Sequence, residues 1–232
     1  MKILKILLII LIAGVGQLNA QLVNQVNDAG EKTGKWVKYF DNNKIKYEGQ
    51  FNNDKPYGKF TYYYDKGGVK AVSDFLDDGV IAYNTTFYEN GNLMAEGKYV
   101  NQQKDGIWKY YLNEISNPLI SMETYVVGTL YGESITYYTD TGNPAEIVLF
   151  TNGKKDGKLI KYFPDGKLMT ESYYKNGVPE GNFIHYHPDG QVQIIGQYQY
   201  GKQVGEWKYF DELGNPVDKD EFKKQEEVKE IK

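Results

Sequence analysis

A glycine followed by a short run of β-branched and aromatic residues returns at a near-constant spacing along almost the whole chain. Seven copies keep the glycine: Gly34-Lys35-Trp36-Val37-Lys38-Tyr39, Gly58 to Tyr63, Gly106 to Tyr111, Gly132 to Tyr137, Gly157 to Tyr162, Gly181 to Tyr186 and Gly205 to Phe210. An eighth copy is worn, with Ala82 in the glycine's place and Phe87 in the last aromatic place. The aromatic column Tyr39, Tyr63, Phe87, Tyr111, Tyr137, Tyr162, Tyr186, Phe210 therefore advances in steps of 24, 24, 24, 26, 25, 24 and 24 residues. A fixed period of this size is the mark of a repeat architecture, in which each unit buries its apolar face only against its neighbours. Such an architecture favours binding or scaffolding over catalysis and does not name the partner.

One unit reads as a β-hairpin. Gly181 to His187 is β-branched and aromatic, and Pro188-Asp189-Gly190 is a turn with a mechanism. Proline presets φ, aspartate bonds its own backbone and glycine takes positive φ. Val192 to Tyr198 is strand-like again, and Tyr200 to Val204 turns into the next copy. Strand, tight turn, strand is the hairpin pattern. The turn recurs as Asp41-Asn42-Asn43, Asp65-Lys66-Gly67, Glu89-Asn90-Gly91, Pro164-Asp165-Gly166 and Glu212-Leu213-Gly214. The longer steps come from Asp140-Thr141-Gly142 and from Asn113 to Pro118, both turns. A strand array tolerates insertions there, since a slip inside a strand would flip every side chain to the other face.

The return strands carry a second aromatic column: Phe51, Phe75, Tyr99, Tyr125, Phe150, Tyr174, Tyr198. If both columns face one side they make a continuous aromatic ladder, each cross-strand pair contributing roughly 0.2–1 kcal/mol. The expected fold is all-β: an elongated array of about eight antiparallel hairpins in a single extended sheet, with a length on the order of 75 Å at about 4.8 Å per strand.

At the start, Met1-Lys2-Ile3-Leu4-Lys5 leads into an apolar run from Ile6 to Val15 and then Leu18-Asn19-Ala20-Gln21. This is the form of a secretory signal, too short for a comfortable membrane span, with cleavage expected after Ala20. The chain has no cysteine, so the exported protein is held by strands and aromatics, not by disulfides. Its 22 tyrosines suit a thin structure, because the ring packs while the hydroxyl stays wet. Formal charge is −4, from 27 bases and 31 acids, and every base is lysine. An acidic chain without arginine is a poor fit to nucleic acid or anionic lipid headgroups, which arginine grips best. The domain plan is thus a signal peptide over 1–20, a repeat array over 21–217 and a charged tail or cap over 218–232.

The unit resembles a known family. Tyr47-Glu48-Gly49-Gln50-Phe51, followed by a polar turn and Gly58, resembles the Tyr-Glu-Gly-x-Trp/Phe core of the MORN repeat. Glu96-Gly97-Lys98-Tyr99 with Asp105-Gly106 and Ile195-Gly196-Gln197-Tyr198 with Gly205 repeat it, and Asn152-Gly153-Lys154-Lys155-Asp156-Gly157 is similar to the family's loop. Where the family has a second glycine this chain has Trp36, Phe60, Trp108 or Trp207, which is similar to the bacterial MORN-variant group. The resemblance, spanning roughly 24–217, implies an elongated hairpin sheet and a protein-binding or assembly module. Many variant members are classed as antitoxin-like, so an exported antitoxin or immunity protein is the alternative, and an envelope glycan binder a further one.

Candidate contact residues are the ring columns: Trp36, Phe60, Trp108, Phe183 and Trp207, with Tyr39, Tyr63, Tyr111, Tyr137, Tyr162 and Tyr186. The tryptophans form either an exposed binding stripe or ordinary sheet packing. His185 and His187 are the two histidines, and sharing a metal would require a third ligand such as Asp211 or Glu212. In other repeats these places hold Lys161, Tyr209, Tyr138 or Phe163, which makes histidine a tolerated filler and no metal the expectation. The carboxylates Asp77, Asp78, Asp156, Glu180 and Asp189 sit in turns, and no nucleophile elbow, phosphate loop or dinucleotide fingerprint appears. The expectation is a non-enzyme without cofactor, acting on a protein partner in the periplasm or outside the cell.

Overall fold

The computed structural model describes residues 22–230. The signal-peptide reading of residues 1–20 lies outside them. The described residues form β1 (Gln25–Val26), β2 (Lys32–Tyr39), β3 (Ile45–Asn52), β4 (Lys55–Tyr63), β5 (Val69–Leu76), β6 (Ile81–Phe87), β7 (Leu93–Val100), β8 (Gln103–Tyr111) and β9 (Leu119–Val126). There follow β10 (Thr129–Tyr137), β11 (Pro144–Thr151), β12 (Lys154–Tyr162), β13 (Leu168–Lys175), β14 (Val178–Pro179), β15 (Gly181–Tyr186), β16 (Val192–Gln199), β17 (Lys202–Phe210), β18 (Pro216–Val217) and the helix α1 (Lys219–Glu230). Each strand pairs antiparallel with the next in chain order, and β14 and β15 are two parts of one row along β13. The result is a single sheet of 18 strands in hairpin order, the all-β array expected from the repeat.

Two kinds of turn set the register. On one edge, two-residue turns such as Asn53-Asp54, Asn101-Gln102, Asn152-Gly153 and Asn176-Gly177 place both residues at positive φ. This is the type I′ geometry whose twist matches that of the flanking strands. On the other edge lie the Asx-type turns read from the sequence. Phe40 N–H bonds Lys44 O, and the left-handed place is taken by Asn43, Gly91, Gly166, Gly190 or Gly214. The longer steps fall where expected: Leu112 N–H closes on Pro118 O and Tyr138 N–H on Asn143 O.

The repeating glycines create bulges. Gly58-Lys59-Phe60 together face Gly49, because the ladder jumps from Gln50↔Tyr57 to Glu48↔Thr61. The same jump occurs at Gly106, Gly132, Gly157 and Gly205. Such a bulge re-aims the side chain that follows it. Here it swings Phe60, Trp108 and Trp207 down onto Gly49, Gly97 and Gly196, so closely that a Cβ at any of these glycines would fall inside the ring. The Gly of the Glu-Gly pair is therefore required for close approach. Phe60 then lies edge-on between Phe51 at 5.2 Å and Phe75 at 5.0 Å, while Trp108 meets Tyr99 at 4.7 Å and Trp207 meets Tyr198 at 5.1 Å. Phe60 and Trp108 are each only 2% exposed, so a one-layer sheet obtains a core from rings lying flat on its own backbone.

This corrects the ladder drawn from the sequence. The return-strand column shares its face with Trp36, Phe60 and Trp108, whereas the column Tyr39, Tyr63, Tyr111 is out of phase with it. Strand alternation sends it to the opposite face, where Tyr63 and Tyr111 hydroxyls donate to Glu48 and Glu96. Repeats are also stapled one to the next: the hydroxyls of Tyr64, Tyr88 and Tyr138 donate to the carbonyls of Phe87, Tyr111 and Tyr162. The ends are closed differently. Trp36 Nε1–H donates to Gln25 O, and Phe222 of α1 packs on Tyr209 at 5.1 Å. The charged tail thus caps the ring face at the last hairpin.

Two stability outcomes follow. Gly97→Ala forces the Trp108 ring off the backbone and lowers stability in urea unfolding by about 1–3 kcal/mol, the range for overpacked sites. Val127 sits at φ 48 in a two-residue turn where other repeats carry asparagine. Val127→Asn relieves that strain and raises stability by about 1 kcal/mol in the same assay.

Candidate binding surfaces

The two faces differ in chemistry. The ring face is a strip of buried and half-buried rings. Lys104 Nζ lies 4.9 Å over Trp108, 5.0 Å over Tyr110 and 4.9 Å over Tyr125, and donates to the Tyr110 hydroxyl at 2.6 Å. Tyr125 donates to Glu123 at 2.6 Å. Burial, with Tyr125 and Glu123 alongside, pushes the Tyr110 hydroxyl far above its ordinary range. The indole N–H of Trp108 is held by Lys98 O at 3.0 Å, while that of Trp207 is buried without a partner.

The expected contact aromatics accordingly divide. Phe60 and Trp108 are core, and Trp36, Phe183 and Trp207 continue their column half-buried. They pack the sheet and are not an exposed stripe. Tyr39, Tyr63, Tyr111, Tyr137, Tyr162 and Tyr186 belong to the other, outer face. Tyr39 is exposed there, and Tyr137 reaches Met122 Sδ at 3.4 Å.

The outer face also carries residues that the ring columns did not reveal. Tyr83 is 56% and Ile107 55% exposed, and Tyr131 and Tyr173 are exposed on the following repeats. Ladder pairing sets charges among them: Tyr83 lies between Asp74 and Lys98, and Tyr173 beside Lys158. Ion pairs line this face, with Lys98–Asp105 at 2.7 Å, Lys109–Glu96 at 3.3 Å and Lys158–Glu171 at 2.7 Å. Exposed pairs of this kind contribute little stability and leave polar rims around apolar centres. A shallow depression of about 590 Å³ opens between Tyr83, Lys98, Asp105 and Ile107. The signal for Tyr83, Ile107 and Tyr173 was the alternation itself: Tyr83 and Ile107 stand one place before Asn84 and Trp108, and Tyr173 one place before Tyr174 of the return-strand column, so they point the other way.

The remaining candidates are structural. His187 Nε2–H donates to Phe210 O at 3.0 Å, taking the place of the stapling tyrosines, and His185 Nδ1 is 2.8 Å from the Thr170 hydroxyl. Among the described residues no three His, Cys, Asp or Glu side chains gather as a metal site. Asp211 is held below the usual carboxylate range by the Asn215 backbone N–H and caps its own turn. Asp78 pairs with Lys55 at 2.8 Å, Asp156 with Lys175 at 3.4 Å, Glu180 accepts Tyr200 N–H and Asp189 accepts Gln191 N–H. Each carboxylate ties down a turn.

Comparison with known proteins agrees with this geometry. Residues 32–53, 84–101, 155–176 and 179–200 match the family described as MORN repeat variant. No curated protein sequence matches the chain. Among solved structures, a point mutant of Staphylococcus aureus TarM in complex with fondaparinux, alpha-GlcNAc-glycerol and UDP is similar at 13% identity and a TM-score of 0.32, over 43% of this chain and 19% of that one. The TcdB2-TccC3 structure is similar at 11% identity and a TM-score of 0.22, over 75% of this chain and 12% of that one. The chain thus spans a small part of either, and likeness at this level does not bear on function. No helix among the described residues is long and apolar enough to cross a membrane.

Two outer-face tyrosines are shifted by their surroundings. Burial and the bond to Glu96 push Tyr111 up to about 12, and the bond to Glu48, then burial, raise Tyr63. A raised folded value means that the neutral hydroxyl is favoured in the fold. The stabilisation is complete below the ordinary tyrosine value of about 10 and is lost as pH rises through the folded one. Absorbance titration of tyrosinate is expected to show a late-ionising class, with urea stability falling as pH rises above about 10, and Glu96→Gln to move Tyr111 down toward the ordinary range.

Proposed function

Since this chain is built of MORN-variant repeats, we propose that it is an exported, non-catalytic module that binds a protein partner across its outer face. The observation that carries this reading is the set Tyr83, Ile107, Tyr131 and Tyr173, exposed on neighbouring repeats, with lysines and carboxylates beside Tyr83 and Tyr173. A rigid sheet presents them with little ordering cost, since the backbone is already fixed by ladders on both sides. Aromatic anchors within a polar rim are the usual composition of protein contact surfaces. The turn carboxylates Asp78, Asp156, Glu180 and Asp189 support a role without chemistry, since each is occupied with backbone or lysine. The lysine-containing apolar start of the chain supports action outside the cytoplasm.

The test is affinity capture with mature protein from an envelope fraction, repeated with Tyr83→Ser/Tyr173→Ser. The double variant is expected to retain the partner about tenfold less well, as for loss of contact anchors, with an unchanged melting curve. Equal retention, or a polysaccharide in place of a protein, would overturn the reading. N-terminal sequencing of the exported protein is expected to begin at Gln21.

A further inference from the structure

The worn repeat leaves a hole in the ring face. At the place held by Trp36, Phe60, Trp108, Phe183 and Trp207 in five other repeats, β6 carries Asn84. Where the bulging glycine should be it carries Ala82, and the β5–β6 ladder runs without a register jump. Asn84 lies flat, donating from Nδ2 to Ser73 Oγ at 2.8 Å. Its neighbour Ser73 on β5 is small, and the Trp108 ring lies on Gly97 on the other side, so the open space is the one above Ser73. Ser134 is another such gap, but there the facing residue is Val148, buried, which closes it.

The notch has a volume of about 340 Å³, with Ala71, Ser73, Ala82 and Asn84 as floor and Phe75 and Tyr99 as walls. Phe75 and Tyr99 pair with Ala82 from either side, so their strands stand two spacings, about 9.6 Å, apart. A ring between them would lie about 4.8 Å from each, within the favoured range for edge-to-face pairs. One repeat earlier that arrangement is occupied: Phe60 stands between Phe51 at 5.2 Å and Phe75 at 5.0 Å. The floor adds polarity. Asn84 lines the space, and its side-chain amide carries an acceptor oxygen beside the Nδ2 bonded to Ser73. Toward the turn edge the notch runs into a polar groove of about 670 Å³ past Asp54, Lys55 and Gln102.

We infer that this notch is a binding site for one aromatic side chain, tyrosine or tryptophan, of a bound polypeptide, which completes the ladder in trans between Phe75 and Tyr99. The volume suits a single ring, being at the low end of ligand pockets of roughly 300–1,000 Å³. The N–H or O–H of an indole or phenol meets Asn84 Oδ1, and the adjoining groove receives the peptide backbone. The site is on the opposite side of the sheet from the outer-face contacts, so it goes beyond that reading and does not depend on it.

The test uses end-blocked Gly-Gly-Trp-Gly-Gly labelled as 5-fluorotryptophan, free 5-fluoroindole, and the same peptide with cyclohexylalanine, followed by fluorine or saturation-transfer NMR with the whole mature chain. Saturable binding of the tryptophan peptide is expected, tighter than that of free 5-fluoroindole. Ala82→Phe, which raises a ring from the floor, is expected to weaken it by at least about tenfold, a readily measured 1.4 kcal/mol equivalent. Ala71→Leu fills the same space and serves as a second plug, with the melting curve of each variant recorded. Tyr83→Ser/Tyr173→Ser leaves peptide binding unchanged, so the fate of the outer-face reading is separate. Binding undiminished by both plugs, or equal binding of the cyclohexylalanine peptide, overturns the site. Free 5-fluoroindole binding as tightly as the peptide overturns the polypeptide as its occupant.

Discussion

A ring lying on a glycine holds this molecule together. A single-layer sheet has no second layer to bury against, so its apolar side chains would ordinarily remain half in water. Here a left-handed glycine opens a bulge, the bulge lowers the next ring, and a second glycine across the ladder leaves the backbone bare to receive it. Phe60 and Trp108 become as buried as residues of a layered core. Three sequence places must cooperate for this, the bulge glycine, the ring and the bare glycine, and the 24-residue period keeps them in step. The edge-on rings of the return strands then close each site from the sides, which relays packing from one repeat to the next.

Division of labour between the faces is a consequence. With rings drawn down on one side, the alternate residues project on the other, and the ladder interleaves exposed Tyr83, Ile107 and Tyr173 with lysines and carboxylates. The outer face is thus a fixed lattice of side chains at strand spacing, while the ring face is packed continuously except where the pattern lapses. That lapse lies within β6, where Ala82 abolishes the bulge and Asn84 replaces the ring. A change that looks like decay in the repeat is, in three dimensions, a slot with aromatic walls and an amide floor.

Histidine offers a parallel lesson. His187 takes the stapling place that Tyr64, Tyr88 and Tyr138 fill elsewhere, and its Nε2–H makes the same bond to the following repeat's carbonyl. Its neighbour His185 turns to Thr170. Histidine is rare in this chain, and each ring is engaged by the scaffold. The turn carboxylates are similar, since Glu180, Asp189 and Asp211 each accept a backbone N–H near a turn.

The period, the hairpin order, the turns and the absorption of extra residues at Asn113 to Pro118 and Asp140 to Gly142 were all legible in the sequence, because turn chemistry is local and its positive-φ residues declare themselves. The facing of the aromatic columns was not. Tyr39 and Phe51 share a period, but which side each occupies depends on register shifts in the ladders their strands make with their neighbours, and a bulge is a pairing property that no single segment displays. For the same reason Trp108 read as a contact candidate when it is core, and Tyr83 and Ile107 went unmarked though they are exposed. Local propensity and spacing settled what the units are. Only the cross-strand register, which brings Gly97 beneath Trp108 and leaves Ser73 beside Asn84, decided which side is closed, which is open and where the ring face is notched.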